Sequence, residues 1–359
     1  MSEKDFITNN YTISIEKGSF EWSSPSNIAL VKYWGKKDNQ IPANPSISFT
    51  LNHCKTITKL AFAKKINDGS FSFDLLFEGQ PKEDFKPKIQ KFFERIFEYC
   101  PYLKDFHFTI DTQNTFPHSS GIASSASGMA ALAMNVMSLE RVLNPSISEE
   151  QFNQKASFLA RLGSGSACRS VKGSVVVWGN HAEIVGSSDL FGVEFSSIHE
   201  NFKNYQDTIL LVDKGEKQVS STVGHDLMFG HPFAEQRFAQ AHENLLKIKS
   251  ILETGDIENF IKIVESEALT LHAMMMTSMP YFILMKPNTL EIINKIWKFR
   301  NETKLPVCFT LDAGANVHVL YPNQNKAEIL QFIQDELVGY CQNGQYICDE
   351  IGQGSIALK

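Results

Sequence analysis

The stretch PHSSGIASSASG, residues 117–128, is rich in serine and glycine and leads into an apolar helix predicted over Met129–Leu139. A loop of this composition presents several backbone N–H groups and hydroxyls to one point, and the N-terminus of a helix behind it adds about half a positive charge. Together these features favour an anion site suited to phosphate groups. The Gly-x-x-x-x-Gly-Lys-Ser/Thr pattern is absent, so this phosphate loop is of another kind. A plain turn before a core helix is the alternative interpretation.

Composition and charge exclude several classes of protein. The chain has 359 residues, of which 43% are hydrophobic and 21% charged, and its formal net charge is −6. The negative charge argues against nucleic acid or an anionic membrane surface as a partner. The N-terminal residues do not resemble a signal peptide, and no apolar run is long enough to cross a bilayer. We therefore expect a cytoplasmic protein.

Cysteine and histidine are dispersed along the chain. The six cysteines form no Cys-x-x-Cys pair, and the ten histidines form no zinc-binding pattern. We expect free thiols and no metal site built from protein ligands alone. A Mg²⁺ ion held by phosphates and one carboxylate remains open.

Hydrophobic periodicity predicts a mixture of strands and helices. Strands are predicted at 55–63, 71–77, 106–111, 173–178, 208–212, 306–311 and 317–321. Helices are predicted from a capping box at 148–151 to residue 161, and at 234–252, 256–276, 289–299 and 326–337. Because the elements do not alternate as strict βαβ units, the pattern indicates an α+β fold in two lobes. We place the lobes at 1–205 and 206–359.

The apolar segment 26–37 carries polar residues that a hydrophobic core does not require. It contains Asn27 and then Lys32, which is flanked by valine, tyrosine and tryptophan. A lysine in this setting is expected to contact a phosphate or to act as a catalytic cation. The alternative is a lysine whose stem is buried while its ammonium reaches water.

Two later segments add an arginine and a carboxylate. The small-residue segment 163–170 carries Arg169, whose guanidinium fits a carboxylate or a phosphate; a bulge with Arg169 in water is the alternative. Segment 310–316 places Asp312 at the end of a predicted strand, just before a glycine, where a common aspartate-initiated turn is the alternative. No single segment decides the chemistry, and it is their joint presence that points to a functional site.

These segments resemble a known family. The phosphate loop is similar to the Pro-x-x-x-Gly-(Leu/Ile)-(Ala/Gly)-Ser-Ser-Ala pattern of the superfamily of galactokinase, homoserine kinase, mevalonate kinase and phosphomevalonate kinase. The chain also closely resembles the diphosphomevalonate decarboxylase family at 27–36, 161–170, 219–222, 271–273 and 312–316. The resemblance implies a two-lobed fold with a ribosomal-protein-S5-like N-terminal lobe and a ferredoxin-like C-terminal lobe. Nucleotide and substrate are then expected in the cleft between the lobes.

The resemblance implies an ATP-dependent lyase of the mevalonate pathway of isoprenoid biosynthesis. The family reaction converts (R)-mevalonate 5-diphosphate to isopentenyl diphosphate, with ADP, phosphate and CO₂, through phosphorylation of the 3-hydroxyl. It implies ATP and Mg²⁺ as cofactors, a small phosphorylated substrate as partner, and neither nucleic acid nor membrane. Homodimers are common in the family, and no residue of this chain decides its oligomeric state.

The resemblance also implies roles for single residues. Asp312 is expected to accept or orient the hydroxyl proton, Lys32 to stabilise the developing charge, and Arg169 to hold the substrate carboxylate. Asn27 is expected beside them in the catalytic group. Substrate contacts are implied for Tyr33, Lys36, Ser164, Ser166, Arg169 and Ser221. Contacts to ATP are implied for Pro117, Gly121, Ala123, Ser124 and Ser125, with Ser124 or Ser125 touching Mg²⁺.

The chain departs from the family pattern without losing the proposed catalytic residues. The departures are His118-Ser119, Pro45, His225, residues 275–278, Pro280-Tyr281 and Ala315. The alternatives are a decarboxylase of a mevalonate monophosphate, a superfamily kinase that stops at phosphorylation, and a non-catalytic binder that keeps the fold. Release of CO₂ separates a decarboxylase from a kinase, and a non-catalytic binder is expected to have lost the aspartate or the lysine.

Overall fold

The computed structural model describes residues 1–8, 11–117, 122–214 and 221–358, without the side chains of residues 221 and 222. In this part of the chain the helices are α1 (Lys86–Ile96), α2 (Ser124–Leu143), α3 (Glu149–Gly163), α4 (Ser221–Asp226), α5 (Ala234–Thr254), α6 (Ile257–Met276), α7 (Pro287–Thr303) and α8 (Lys326–Phe332). The strands are β1 (Lys17–Val31), β2 (Ser46–Lys64), β3 (Ser72–Phe77), β4 (Gln80–Pro81), β5 (Phe106–Asn114), β6 (Val175–Trp178), β7 (Val193–Glu194), β8 (Gln206–Leu210), β9 (Cys308–Leu311), β10 (Val317–Tyr321), β11 (Tyr346–Glu350) and β12 (Ile356–Ala357).

The first sheet is built around two long antiparallel strands. Its order is β12-β1-β2-β5-β3-β4, and β6 pairs with β2 and with β7. Strand β1 is exposed at its first residues and buried over its last nine. The β1–β2 ladder ends at the pair Val31↔Ile47, so the chain leaves the sheet deep inside the molecule at Lys32.

The second sheet is antiparallel and has the order β11-β8-β10-β9. Strands β9 and β10 are paired from Val317↔Leu311 onward, and the residues between them, 312–316, form a turn at the end of the sheet. Helices α6, α7 and α8 cover this sheet, with Ile292, Phe309 and Ile329 in their shared core. The turn carries Asp312 to the end of β1.

A hydrophobic core joins the two sheets. Ile28 and Phe49 of the first sheet belong to the same buried cluster as Ile209 of the second sheet and Phe260 of α6. A large apolar interface of this kind restrains the relative motion of the parts that it joins. The site at the junction is therefore held by a packed core rather than by a linker.

The α+β class predicted from the sequence is confirmed, and most predicted elements are present. Ser148 caps α3 as predicted: its hydroxyl accepts the N–H of Gln151, and the Gln151 side chain accepts the N–H of Ser148. Helix α2 begins at Ser124, before the predicted start, because small residues in its first turn are compatible with a helix. The sequence pattern did not predict α1 or β11, nor the pairing of β12 with β1. The division after residue 205 stays a prediction.

Candidate active site

Lys32 lies just beyond the end of β1 and is almost completely buried, with 1% of its surface exposed. Its Nζ donates a hydrogen bond to Asp312 Oδ1 at 3.2 Å, and 31% of the Asp312 side chain is exposed. Burial lowers the pKa of Lys32, and the nearby carboxylate of Asp312 opposes that shift. The alternative of an ammonium reaching water is therefore excluded, and a buried cation faces a carboxylate that substrate can reach.

The backbone of Asp312 is fixed by the turn and by a buried histidine. Its carbonyl accepts the N–H of Gly314 at 2.7 Å and the Nε2–H of His272 at 3.1 Å. Burial lowers the pKa of His272 to about 4, so the ring is neutral and its one proton lies on Nε2. These two contacts hold the carboxylate of Asp312 toward Lys32.

Arg169 lies in the short 3₁₀ helix Gly165–Ser170 that follows α3, and it is 3% exposed. Its Nε donates to Asn27 Oδ1 at 3.2 Å, and its Nη1 donates to the hydroxyl of Ser46. Burial lowers the pKa of Arg169, and the charge of Asp312 partly offsets this shift. The interpretation of Arg169 as a solvated residue of a bulge is therefore wrong, because β1 and β2 hold the guanidinium inside the site.

Asn27 links β1 to the segment that carries Arg169. Its Nδ2 donates to the hydroxyl of Ser170 at 2.8 Å and to the carbonyl of Ser166 at 3.2 Å. Since its Oδ1 accepts from Arg169, both ends of this buried amide are used to position the arginine. Asn27 thus supports the guanidinium in the described structure.

Aromatic rings form one wall of the site. The ring of Tyr33 lies 4.7 Å from that of Trp178 and 4.2 Å from that of His225, measured between centroids. The small-residue segment after α3 approaches this wall closely, because a Cβ on Gly165 would lie 2.8 Å from Trp178 and 3.0 Å from the Tyr33 hydroxyl. This close approach explains why the segment requires glycine there.

His225, one of the departures from the family pattern, is fixed in this wall. Its Nδ1 accepts the N–H of Gly35 at 3.0 Å, and its ring lies 4.6 Å from that of Trp34. Burial lowers its pKa to about 3, so the ring is neutral and the remaining proton is on Nε2. His225 therefore offers a hydrogen-bond donor beside Tyr33.

The described end of the phosphate loop leads into α2 and meets the Arg169 segment. The carbonyl of Ile122 accepts the hydroxyl of Ser26 at 2.6 Å, and Ala123 takes the left-handed conformation with φ 44°. Ser125 is exposed in the first turn of α2, and its hydroxyl lies 3.4 Å from that of Ser164. The first N–H groups of a helix have no partner within the helix, so this end of α2 is suited to an anion.

A cavity of about 210 Å³ opens beside this helix end. The sequence pattern did not predict this cavity, because its walls come from segments that are far apart in the chain. The residues lining it are Thr56, Thr58, Leu75, Phe77, Phe85, Lys88, Ile89, Ile110, Thr112, Asn114, Ser124, Ser125, Gly128, Met129 and Leu132. Walls that combine apolar side chains with polar groups are typical of a small-molecule pocket.

The other predicted site residues differ in how they are placed. Lys36 is half-buried, and burial lowers its pKa while Asp226 opposes the shift. Pro117 is exposed, Ser164 and Ser166 are half-buried, and Ser221 begins α4, although its side chain is not described. Gly121 lies outside the described residues.

The described residues contain neither a metal site built from protein side chains nor a membrane-spanning helix. Within residues 1–8, 11–117, 122–214 and 221–358, no group of three or more His, Cys, Asp or Glu side chains is arranged to hold a metal ion. No helix in the same ranges is both long and apolar enough to cross a membrane.

Comparison with known proteins gives one consistent result. The family model for the diphosphomevalonate decarboxylase-like N-terminal domain matches residues 24–189, and that for the mevalonate 5-diphosphate decarboxylase C-terminal domain matches residues 208–355. A diphosphomevalonate decarboxylase from Debaryomyces hansenii is 30% identical over 331 residues, which cover 87% of this chain and 81% of the relative.

Solved structures extend the similarity to nearly the whole chain. Mevalonate diphosphate decarboxylase from Staphylococcus aureus superposes with a TM-score of 0.81 at 28% identity, covering 96% of this chain and 98% of that one. The complex of MDDEF with MVAPP, AMPPCP and magnesium superposes with a TM-score of 0.80 at 27% identity, covering 96% and 99%. With its fold, its site and both of its domain matches in agreement, the chain belongs to the diphosphomevalonate decarboxylase family.

Proposed function

We propose that this chain catalyses the ATP-dependent decarboxylation of (R)-mevalonate 5-diphosphate to isopentenyl diphosphate, ADP, phosphate and CO₂. The observation that carries the proposal is the contact between the buried Lys32 and the partly exposed Asp312, with Arg169 buried close by. A carboxylate, an ammonium and a guanidinium at one junction can activate a hydroxyl and bind an anionic substrate.

Arg169 and the aromatic wall bind the substrate. The Arg169 guanidinium is held by Asn27 and Ser46, and it provides a charged donor for the substrate carboxylate. At the other end of the substrate, Tyr33 and the half-buried Lys36 contact the 5-diphosphate. Ser164, Ser166 and Ser221 add hydroxyl contacts.

The N-terminal end of α2 binds the nucleotide. Ala123, Ser124 and Ser125, with Pro117 and Gly121, surround the ATP phosphates, and the adjoining apolar cavity receives the base. Two serines in the first turn of a 20-residue helix fit a magnesium–phosphate group, because hydroxyl oxygens are suitable Mg²⁺ ligands. Ser124 or Ser125 would hold the ion, which would neutralise phosphate charge.

The side chains then act in two chemical steps. Asp312 accepts the proton of the 3-hydroxyl while that oxygen takes the γ-phosphoryl group and ADP leaves, and Lys32 stabilises the negative charge that develops around the transfer. In the second step the C3–O bond breaks and phosphate leaves. The electrons of the C1–C2 bond form the C2–C3 double bond, and CO₂ is released. Arg169 holds the carboxylate in position for this cleavage.

One assay separates the proposal from its alternatives. The protein is incubated with ATP, Mg²⁺ and mevalonate carrying no, one or two phosphates, and CO₂ and ADP are measured together. We expect equal amounts of CO₂ and ADP, with the highest kcat/KM for the diphosphate. ADP without CO₂ would identify a kinase. A higher kcat/KM for the monophosphate would identify a decarboxylase of mevalonate monophosphate.

Three properties complete the proposal. We propose two lobes that divide after residue 205, a homodimer, and action in the cytoplasm as part of isoprenoid biosynthesis. The matches at residues 24–189 and 208–355 support the division. Sedimentation equilibrium tests the homodimer: a mass of about 40.4 kDa would instead identify a monomer.

A further inference from the structure

A buried ion pair that the proposed mechanism does not use surrounds the backbone of Lys32. Glu267 on α6 is completely buried and accepts four hydrogen bonds. Its Oε2 accepts the backbone N–H of Lys32 at 2.8 Å and Nη2 of Arg237 at 2.5 Å. Its Oε1 accepts Nη1 of Arg237 at 2.9 Å and Nδ2 of Asn244 at 2.7 Å. The carboxylate therefore accepts one hydrogen bond from the residue that follows β1 and three from two residues of helix α5.

The same arginine holds the other backbone group of Lys32. Nη2 of Arg237 donates to the Lys32 carbonyl at 2.9 Å, and Nδ2 of Asn44 donates to the same oxygen at 2.9 Å. The β1–β2 ladder ends one residue earlier, at Val31, so the sheet does not hold Lys32. The Arg237–Glu267 pair replaces the missing sheet partners at the residue that carries the buried ammonium.

Stability alone does not account for an ion pair at this place. Burying both charges costs desolvation free energy, and apolar residues of similar volume often give equal or greater stability. Two parallel N–H···O bonds, however, fix geometry more precisely than apolar packing does. The pair also joins the residue after β1 to helices α5 and α6, and α6 carries His272, which donates to the Asp312 carbonyl.

We propose that the Arg237–Glu267 pair positions Lys32, holding its backbone so that Nζ stays aligned with Asp312 and with the transferring phosphoryl group. This inference rests on the proposed role of Lys32. Arg237 and Glu267 do not touch the reacting atoms and act through Lys32. Loss of the pair should therefore reduce kcat more than it weakens ligand binding.

The test replaces both partners together, because removing one would leave a buried charge unpaired. We call the Arg237–Glu267 pair the clamp. The double variant Arg237→Met/Glu267→Leu removes this clamp and fills the space with apolar side chains. The matched control is Lys155→Met/Glu140→Leu, which replaces another buried ion pair, with N···O at 2.6 Å, that has no contact with Lys32. Steady-state kinetics for both substrates and thermal melting are measured for each.

We expect the clamp variant to lose about a hundredfold in kcat, as a displacement of about 1 Å can cause, with KM values changed by less than about threefold, which is below 1 kcal/mol. The control variant should keep its kcat. Equal losses of kcat in the two double variants, or a clamp variant with normal kcat, would show that the pair serves only the fold.

A second comparison separates positioning from general damage. In a Lys32→Met background the clamp substitutions should cause no further loss of kcat, because a residue that acts through Lys32 has no effect once the ammonium is gone. Additive losses would overturn the inference. If Lys32→Met alone kept normal turnover, both the proposed role of Lys32 and the inference about the clamp would be wrong. If Lys32→Met lost kcat while the clamp variant kept normal turnover, only the inference that the clamp positions Lys32 would be wrong.

Discussion

At the scale of single residues, the site depends on charges that are buried and individually partnered. Lys32 faces Asp312, and Arg169 is held by Asn27 and Ser46. Isolated charges are unfavourable in such surroundings, so each partner determines where the charge lies. In the proposed mechanism, substrate anions and the transferring phosphoryl group meet donors whose positions are already set, which reduces reorganisation during the reaction.

Asp312→Asn tests the proton acceptor. The change keeps the size of the side chain and removes its ability to take a proton from the 3-hydroxyl. We expect kcat to fall by about 10²–10⁴-fold, while calorimetric affinities for nucleotide and substrate stay near those of the wild type. Near-normal turnover in Asp312→Asn would show that another group accepts the proton.

His272→Gln tests how the support of Asp312 depends on pH. The folded-state pKa of His272 is lowered from 6.5 to about 4, so between these values the unfolded chain binds a proton that the folded chain does not. Stability is therefore lost as pH falls from about 6.5 toward 4. The total loss in the free energy of unfolding over this range is on the order of 3 kcal/mol. The glutamine introduced by this change would keep an N–H donor for the Asp312 carbonyl without titrating. Urea unfolding between pH 7 and pH 5 should show a smaller loss for the variant, and identical losses would contradict the assignment.

Arg169→Gln tests recognition of the substrate carboxylate. Removing one member of a shielded charge pair typically costs about 2–5 kcal/mol or more, which corresponds to about 30-fold to several-thousand-fold in affinity. We expect kcat/KM to fall in this range, with CO₂ and ADP reduced together. A substrate analogue without the carboxylate should lose much less affinity than the substrate. Equal losses for both ligands would mean that Arg169 serves a phosphate or the fold.

The site residues that the sequence predicted differ in their neighbouring residues from those that it did not predict. Lys32, Arg169 and Asp312 stand out because a charge interrupts an apolar or small-residue segment. Glu267 and Arg237 lie in helices whose neighbouring residues include other charges, so nothing in the pattern separates them from residues of a solvated face. Their importance comes from contacts between segments that are far apart in the chain, such as the one from Glu267 to Lys32.

At the scale of elements, α2 combines a structural role with its proposed binding role. Its central residues are buried in the core, while its first turn opens onto the cavity. The hydroxyl of Ser127 ties this turn to β2 through Thr56, with 2.6 Å between the oxygens. The sequence predicted the helix, because small residues followed by an apolar run are a local signal, and the phosphate-binding role of the loop before it stays a prediction. The cavity beside it was not predictable, because β2, β3, α1 and β5 together supply more of its lining residues than α2 does.

Gly128→Leu tests the cavity through this helix. A Cβ on Gly128 would meet no atom within 4 Å, and Gly128 lines the cavity, so the leucine side chain has open space in which to occupy it. Replacing a helical glycine also removes a helix-propensity cost of about 1 kcal/mol. We expect a melting temperature equal to or above that of the wild type, together with weakened ATP binding in calorimetry. Ser138→Ala on the same helix, remote from the cavity, is the control. Unchanged ATP affinity in Gly128→Leu would place the nucleotide elsewhere.

At the scale of the whole molecule, the C-terminal segment supports strand β1, which carries Asn27 of the site. Strand β12 pairs with β1 at Trp22↔Ala357 and Ser23↔Ile356. No local pattern in the sequence predicted this pairing, because two residues are too few to show a period and their partners lie at the opposite end of the chain. The segment just before β12 also reaches the 3₁₀ helix that carries Arg169.

Ser355 is the residue that makes this connection. Its hydroxyl donates to the Ser170 carbonyl at 3.1 Å and lies 2.6 Å from the hydroxyl of Ser24, and its N–H donates to the Val171 carbonyl at 2.8 Å. Ser170 in turn accepts from Asn27, which holds Arg169. The contacts form a continuous path from the C-terminal segment to the guanidinium.

Ser355→Ala tests that path while leaving β12 in place. We expect the KM for mevalonate diphosphate to rise roughly threefold, the effect of somewhat less than 1 kcal/mol, because Arg169 is held less firmly. The KM for ATP should change less, since the described contacts of Ser355 do not include α2. Ser138→Ala removes a comparable hydroxyl contact to β1, at Trp22 Nε1, away from the site. An equal rise in KM for both serine variants would show that the hydroxyl of Ser355 stabilises the sheet without positioning Arg169.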